Sequence, residues 1–329
     1  MPNVMAETKP YLQGLDAFYY REIEPWLRAQ EMRRRDALAR RRRGTWAAAA
    51  VGLVVVGVLW LRLRPDSAAP LSILTLIVFF FASWFAGRSA EKLESDVKTF
   101  VMTKLAAFFG FTYEPRNAGP ALPRFVELGL VPHSNSRARS DGLSGTIRGI
   151  RFQFAEAELE RVGQREDSKG RTTHYHDTVF DGLLFAFHYA SPCEGVTVIR
   201  EDAGAMMNWA RGEFGGLPPV ALDDAEFEAA FRIYSTDDED ARRLLDPSMR
   251  HRILALRQTL GATSLRLAFD ANGILMSVET KSDEHFEPGP VDKAVLDREH
   301  FQRMVADVCI VFDIIDGLNL GQAAAATAG

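Results

Sequence analysis

Residues 265–278 read Leu-Arg-Leu-Ala-Phe-Asp-Ala-Asn-Gly-Ile-Leu-Met-Ser-Val, and they contain the clearest fold signal in the chain. Two runs of strand-forming residues, Leu265–Phe269 and Ile274–Val278, flank the four residues Asp270-Ala271-Asn272-Gly273. Asn followed by Gly adopts the positive φ angles of a tight hairpin turn at little cost. The stretch therefore predicts two antiparallel strands joined by a short turn.

Further strands are predicted upstream of this hairpin. Four segments alternate apolar with polar side chains or form a short apolar run, a pattern typical of strands. They are residues 150–154, 185–189, 196–199 and 231–234.

Helices are predicted between and after these strands. Thr236 or Asp237 is placed to cap one helix, and Asp246 followed by Pro247 is an N-cap signal for the next, which Gly261 ends. A last amphipathic helix is predicted over about 298–318. Strand clusters followed by helices predict an α+β domain with an antiparallel or mixed sheet.

Two uncharged apolar segments precede this domain. Thr45–Leu61 has 17 residues and Ala68–Gly87 has 20, with six residues between them. A helix needs about 20 apolar residues to cross the hydrocarbon core of a bilayer. A pair of buried core helices is the alternative, which two such long uninterrupted runs disfavour. The sequence therefore predicts a membrane-anchored protein with a two-helix transmembrane hairpin, in contact with the lipid bilayer.

Basic residues predict the orientation of this hairpin. Arg40, Arg41, Arg42 and Arg43 precede the first segment, and Arg88 follows the second. Basic residues near membrane spans favour the cytoplasmic side. We therefore expect these five arginines at the membrane interface of a multi-pass protein in the bacterial inner membrane, with both termini cytoplasmic. A nucleic-acid patch is the alternative explanation of the arginine run.

Amphipathic helices are predicted on both sides of the hairpin. Their apolar stripes comprise Leu12, Leu15, Tyr19, Ile23 and Trp26 on one side and Leu93, Val97, Phe100, Leu105 and Phe108 on the other. The two stripes are expected to pair as an antiparallel stalk, or else to bind a protein partner or a second copy of the chain.

These expectations divide the chain into seven segments. They are a basic helical segment (1–44), a first transmembrane helix (45–64), an external turn (65–69), a second transmembrane helix (70–88), a cytoplasmic stalk helix (89–110), an α+β cytoplasmic domain (111–321) and a disordered tail (322–329).

Charge is distributed unevenly between the two halves of the chain. Residues 1–110 carry 16 Lys and Arg against 10 Asp and Glu, whereas residues 111–329 carry 23 against 34. The acidic second half argues against nucleic-acid binding, which needs a basic surface. The chain has only two cysteines, Cys193 and Cys309, which lie far apart and are expected to serve packing.

Two polar clusters are weak candidates for a metal site. His174, His176 and Asp177 lie in one short stretch. On an extended chain the two histidines, two residues apart, point the same way and could share an ion, but a third ligand is not identifiable. The acidic run 237–240 is more naturally explained as favouring the positive end of the helix that it begins. No phosphate-binding loop, dinucleotide motif or hydrolase motif occurs. The sequence therefore predicts no catalytic residue, no metal and no cofactor.

Residues 178–290 contain several motifs in a recognisable order. They are Val-Phe-Asp-Gly-Leu at 179–183, Glu-Phe-Glu-Ala-Ala-Phe-Arg-Ile-Tyr-Ser at 226–235, Ala-Arg-Arg-Leu-Leu-Asp-Pro-Ser-Met at 241–249 and Phe-Glu-Pro at 286–288. In these motifs the chain resembles the bacterial domain-of-unknown-function family 3137, a family of uncharacterised membrane proteins. The resemblance implies a polar helix, two membrane spans, a further helix and an α+β domain, and it implies no activity.

Three functions remain open at this point. The leading hypothesis is a non-enzymatic binding, scaffold or regulatory protein displayed at the cytoplasmic face of the membrane. The second is an enzyme acting on a lipid or membrane-proximal substrate, and the third is an accessory subunit of a transport or secretion assembly.

Overall fold

The structure, a computed structural model, describes residues 9–63, 92, 94–166, 172–189, 193–201, 216–280, 286 and 298–320. The chain divides into two compact units. One comprises Met1–Phe108 and Phe286–Val305, and the other comprises Phe109–His285 and Ala306–Gly329.

The first unit is helical in its described part. A 3-10 turn (Pro10–Leu12) and a short helix α1 (Leu15–Phe18) lead through a π-turn (Tyr19–Ile23) into the long helix α2 (Glu24–Leu63). A further helix, α3, covers residues 94–109.

The segments that flank the predicted hairpin pack on each other through their aromatic residues. The ring of Phe18 lies 5.1 Å from that of Phe108, and Trp26 stacks on Phe100 at 3.9 Å. Between these two contacts, Lys104 forms a 3.0 Å ion pair with Glu22. The residue numbers rise along the first segment, from 18 through 22 to 26, while those of their partners fall along α3, from 108 through 104 to 100. The two segments therefore run antiparallel. This confirms the intramolecular pairing predicted for the two apolar stripes.

The predicted transmembrane hairpin is wrong. Thr45–Leu61 does not form a helix of its own, because it continues α2, whose preceding turns carry Arg40 to Arg43. Among the residues that the structure describes, no helix combines the length and the apolar character needed to span a membrane. The assignment to a membrane-anchored fold and the multi-pass inner-membrane location both depended on the hairpin and are corrected with it.

The rest of the predicted hairpin cannot be compared with the structure. The external turn at 65–69, the second predicted span at 70–88 and Arg88 lie outside the described residues.

The second unit is built on an antiparallel sheet. In the described residues its nine strands lie in the order β1-β2-β3-β4-β9-β8-β5-β7-β6. Their bounds are β1 Thr112–Arg116, β2 Ser136–Ile147, β3 Ile150–Glu166, β4 Thr172–His188, β5 Thr197–Glu201, β6 Pro219–Val220, β7 Phe231–Ser235, β8 Ala262–Asp270 and β9 Gly273–Thr280. The α+β part of the sequence prediction thus agrees with the structure, and the sheet is antiparallel rather than mixed.

The predicted hairpin at 265–278 is confirmed. Asp270 pairs with Gly273, and the ladder continues from Phe269–Ile274 to Leu265–Val278. Asp270 also accepts a 2.8 Å hydrogen bond from the backbone N–H of Asn272, which closes the turn.

Helices flank the sheet in the second unit. Their bounds are α4 Leu122–Glu127, α5 Ala225–Ala230, α6 Asp238–Leu244, α7 Pro247–Thr259 and α8 Arg298–Gly317, the last of which begins in the first unit. The predicted N-caps are present, since Asp237 accepts from the N–H of Asp240 and Asp246 from the N–H of Met249.

The two faces of the sheet carry different apolar clusters. On one face the rings of Phe154 and Phe185 stack at 4.6 Å. On the other face the segment of α4 packs through Leu122 and Phe125 on a cluster that includes Ala157 and Ala268 as well as larger residues such as Phe180.

Candidate functional site

A groove lies beside α4 at the end of the sheet where β8 turns into β9. Its volume is about 740 Å³, which is within the usual range for small-molecule sites. The residues that line it, called here the turn-end groove, are Pro120, Ala121, Arg124, Phe125, Arg151, Gln153, Ala186, Phe187, His188, Tyr189, Asp270, Ala271, Asn272, Gly273, Ile274 and Leu275.

The polar edge of the turn-end groove is a row of cross-strand partners. Arg151 of β3 lies opposite His188 of β4, which lies opposite Gly273 of β9, which in turn pairs with Asp270 of β8. Opposite residues on neighbouring antiparallel strands project from the same face of the sheet. Two strand pairs that are distant in sequence, β3–β4 and β8–β9, therefore bring Arg151, His188 and Asp270 to one edge.

Gly273 allows the strands to approach each other at this edge. Its φ angle is 131°, and a Cβ atom there would lie 1.9 Å from the backbone oxygen of Phe187. A larger residue would push β9 away from β4 and break the row.

The second arginine of the groove comes from α4. Buried Leu122 and Phe125 anchor this helix on the sheet, and Arg124 between them is directed to the groove side. Its guanidinium lies 2.8 Å from Glu127 and 3.5 Å from Asp270.

Positive charge predominates in the turn-end groove. Its charged lining groups are Arg124, Arg151 and Asp270, and Asp270 is already shared with Arg124. Arg151 is exposed, and no carboxylate pairs with it in the described part of the chain. Burial lowers the pKa of His188, the charge of Arg151 lowers it further, and Asp270 opposes this shift. The lowered pKa of His188 disfavours a second positive charge beside Arg151.

The predicted histidine cluster lies elsewhere, near the far end of the β3–β4 hairpin. His174, His176 and Asp177 are exposed on β4 opposite Gln164, Val162 and Arg161. His176 Nδ1 lies 3.8 Å from a carboxylate oxygen of Glu160. Within the described residues, no group of three or more His, Cys, Asp and Glu is arranged to hold a metal ion.

The acidic run at 237–240 serves the local structure, as predicted, but one of its members has an additional role. Asp240 is buried and accepts hydrogen bonds from the backbone N–H groups of Glu194 and Gly195 at 3.0 and 3.1 Å. It also contacts Arg243 and the Sγ of Cys193. Burial raises its pKa, but these hydrogen bonds outweigh burial and hold the pKa below its usual range.

Cys193 is a packing residue beside this carboxylate. Burial, followed by the neighbouring Asp240, raises the pKa of the Cys193 thiol to about 12. A thiol with that pKa stays protonated at neutral pH and is a poor nucleophile.

The arginines assigned to a membrane interface lie on α2. Arg40, Arg42 and Arg43 are exposed there, and Arg41 lies in the same helix. Their predicted role depended on the transmembrane hairpin that the structure contradicts.

Sequence reasoning missed the groove residues, apart from the turn that contains Asp270. Arg124, Arg151 and His188 belong to three separate elements, and none of them lies in a motif. The sequence shows only that a charged residue interrupts an apolar strand pattern at the end of a strand. Most strands end in this way, so the pattern does not identify a site.

Comparisons with known proteins give little beyond the family. No curated protein matches this chain. Among solved structures, the mycobacterial trehalose monomycolate transport factor A, TtfA, matches 68% of this chain and 96% of its own at 15% identity and a TM-score of 0.31. A likeness at that TM-score supports no conclusion about fold or function. The family comparison is more specific, since residues 178–320 match the model described as "Protein of unknown function (DUF3137)". That segment starts in β4 and ends after α8, and its match to the DUF3137 model agrees with the resemblance that its motifs indicated.

Proposed function

We propose that this chain is a non-enzymatic binding protein whose turn-end groove takes a small organic anion. The observation that carries the proposal is the convergence of Arg124 and Arg151 on one groove whose single carboxylate is already ion-paired. Guanidinium groups bind carboxylates and phosphates through paired charge-assisted hydrogen bonds.

The groove also has the mixed lining that small-molecule sites favour. Phe125, Ala186 and Leu275 form apolar walls, while the charged groups lie along one edge. Such a division orients a ligand, because its charged group is held at the edge and its body lies against the walls. Residues 111–329 carry 34 acidic against 23 basic residues, whereas the charged residues that line the groove are two arginines and one aspartate. This local excess of positive charge supports an anionic ligand.

Binding is favoured over catalysis by the residue types in the groove. Its lining contains no Ser, Thr, Cys or Lys in the described part of the chain, so the commonest nucleophiles of covalent catalysis are not among the residues of this groove. An accessory role in a transport or secretion assembly stays a prediction, with no observation in its favour.

The test is calorimetric titration of the full chain with acetate, inorganic phosphate and citrate at low ionic strength. We expect saturable binding of at least one of these anions, weakened about tenfold or more in Arg151→Gln, because this substitution removes a charge-assisted hydrogen bond. The exposed Arg151 makes no contact that the fold depends on, so the variant should fold.

Arg137→Gln is the matched control. Arg137 is also an exposed strand arginine, on β2, but it does not line the groove. Equal loss of affinity in both variants would mean that the anions respond only to net charge, and absence of binding by the unmodified chain would refute the proposal.

A further inference from the structure

The two arginines of the turn-end groove belong to opposite ends of its polar row. The row crosses four neighbouring strands in the order β3, β4, β9 and β8, with Arg151 on the first strand and Asp270 on the last. Neighbouring strands lie about 4.8 Å apart, so three spacings separate the backbones of Arg151 and Asp270 by about 14 Å. The guanidinium of Arg124 lies 3.5 Å from the carboxylate of Asp270 and therefore belongs to the β8 end.

The positive charge of Arg151 lies toward the other end of the row. It lowers the pKa of His188 on β4, and its effect exceeds the opposite effect of Asp270. Because the interaction between charges weakens with distance, the guanidinium of Arg151 lies nearer to His188 than the carboxylate of Asp270 does. One positive group is therefore on the β3–β4 side of the groove, and the other is on the β8 side.

Arg124 keeps hydrogen-bond donors for a ligand in spite of its two carboxylate neighbours. One of its terminal nitrogens donates to Glu127 at 2.8 Å. Its 3.5 Å contact with Asp270 is longer than a charge-assisted hydrogen bond, which measures about 2.7–2.9 Å. Since a guanidinium carries five N–H donors, these two neighbours leave Arg124 able to bind an anion.

The floor of the groove between the two ends is apolar. The row next to the polar one on the same face runs from Gln153 through Ala186 to Leu275. Ala186 is buried, Leu275 is half-buried, and both line the groove. The amide of Gln153 lies at the β3 end, two residues from Arg151 on the same strand and face. The groove therefore has polar groups at both ends and a hydrocarbon floor between them.

We infer that the ligand of the turn-end groove is a dianion whose two negative groups are separated by a short aliphatic linker, as in a straight-chain dicarboxylate. This inference rests on the proposed function. One negative group lies at Arg151 and the other at Arg124. The linker lies over Ala186 and Leu275, where methylene groups replace water on the apolar floor.

The test compares straight-chain dicarboxylates with monocarboxylates of the same carbon number, titrated into the full chain at a pH at which every carboxyl group is ionised. Succinate, adipate and suberate are paired with butyrate, hexanoate and octanoate. We expect at least one dicarboxylate to bind about tenfold or more tightly than its monocarboxylate, because its second carboxylate forms a further charge-assisted hydrogen bond. Equal affinity within every pair would overturn the inference and leave the proposed function intact. If none of these acids binds, the proposed function is refuted, and the inference with it.

Propylmalonate separates the effect of spacing from that of total charge. It is an isomer of adipate and carries the same charge, but both of its carboxylates are attached to one carbon and cannot reach both ends of the groove. We expect propylmalonate to bind about as weakly as hexanoate. An affinity equal to that of the best straight-chain dicarboxylate would mean that the groove responds to charge alone, and the inference would be wrong.

Two variants each remove one end of the site. In Arg151→Gln and in Arg124→Gln the best dicarboxylate should bind within about twofold of its monocarboxylate, whereas Arg137→Gln, at an exposed position outside the groove, should keep the full ratio. The ratio is taken within each variant, so a general loss of anion affinity does not change it. Circular dichroism checks that each variant is folded. A full ratio in folded Arg151→Gln would show that the second carboxylate binds elsewhere and would reject the inference.

Discussion

The two carboxylate oxygens of Asp270 make different contacts. One oxygen accepts the backbone N–H of Asn272 and holds the hairpin turn, while the other lies 3.5 Å from the guanidinium of Arg124. The first contact is local and maintains the turn whatever the groove contains. The second competes with any anion that enters the groove.

Asp270→Asn should therefore strengthen anion binding. The amide oxygen of Asn still accepts the Asn272 N–H, so the turn is kept, while the negative charge beside Arg124 is removed. We expect an affinity gain of about threefold, typical of a partly exposed ion pair, measured by calorimetry with the anion that binds best. Asp270→Ala, which also loses the turn contact, is the comparison, and weaker binding by Asp270→Asn would contradict the assignment of Arg124 to the site.

His188 makes the stability of the fold depend on pH in a defined direction. Its pKa lies below the ordinary value of 6.5, chiefly because of burial and secondly because of Arg151. Below pH 6.5 the unfolded chain therefore binds more protons than the folded one, so stability is full above that pH and falls as the pH drops toward the lowered pKa.

The measurement is chemical unfolding at several pH values between 7.5 and 5, compared with His188→Gln. We expect the variant to lose part of the decline in unfolding free energy between pH 6.5 and 5, since glutamine cannot titrate. His174→Gln, at an exposed position on the same strand, should keep the full decline. An unchanged pH profile in His188→Gln would show that this histidine does not couple to folding.

At the scale of elements, a buried carboxylate joins a helix to the entrance of a strand. Asp240 lies in the first turn of α6 and accepts the N–H groups of Glu194 and Gly195 in the segment that leads into β5. This contact fixes the position of the segment that leads into β5.

Asp240→Ala should lower the free energy of unfolding by about 2 kcal/mol, because it leaves backbone donors and the contact with Cys193 without their acceptor. Urea unfolding at neutral pH measures the loss. Asp238→Ala is the matched control, since Asp238 stands in the same helical turn and pairs with Arg242 at 2.9 Å, but on the surface. That exposed pair should contribute much less than the buried contacts of Asp240, and a similar loss in both variants would argue that Asp240 acts only through the helix dipole.

At the scale of the whole molecule, local sequence patterns predicted individual turns and helix caps better than they predicted how the helices and strands are arranged. The turn at Asp270–Gly273 and the caps at Asp237 and Asp246 were predicted correctly. Each depends on hydrogen bonds between residues at most four apart, which a short window of sequence contains.

The error at Thr45–Leu61 has the opposite origin. Apolar content over 17 residues was treated as an independent membrane segment, whereas helical hydrogen bonding continues through it from the arginine-rich turns before it. The mean hydropathy of a sequence window does not show where a helix begins, because the start of the helix depends on residues outside that window.

The sequence by itself determined the hairpin turn, the helix caps, the family segment and parts of six strands, because these follow from contacts or motifs within short stretches of chain, whereas β1, β2 and β6 were not predicted. Only the tertiary structure decided which strands are neighbours, and therefore that Arg151, His188 and Asp270 share one edge, with Arg124 of α4 beside Asp270. The reason is geometric: the row depends on the register between strands that are distant in sequence, such as β4 and β9, where His188 pairs with Gly273, and no local pattern of side chains encodes that register.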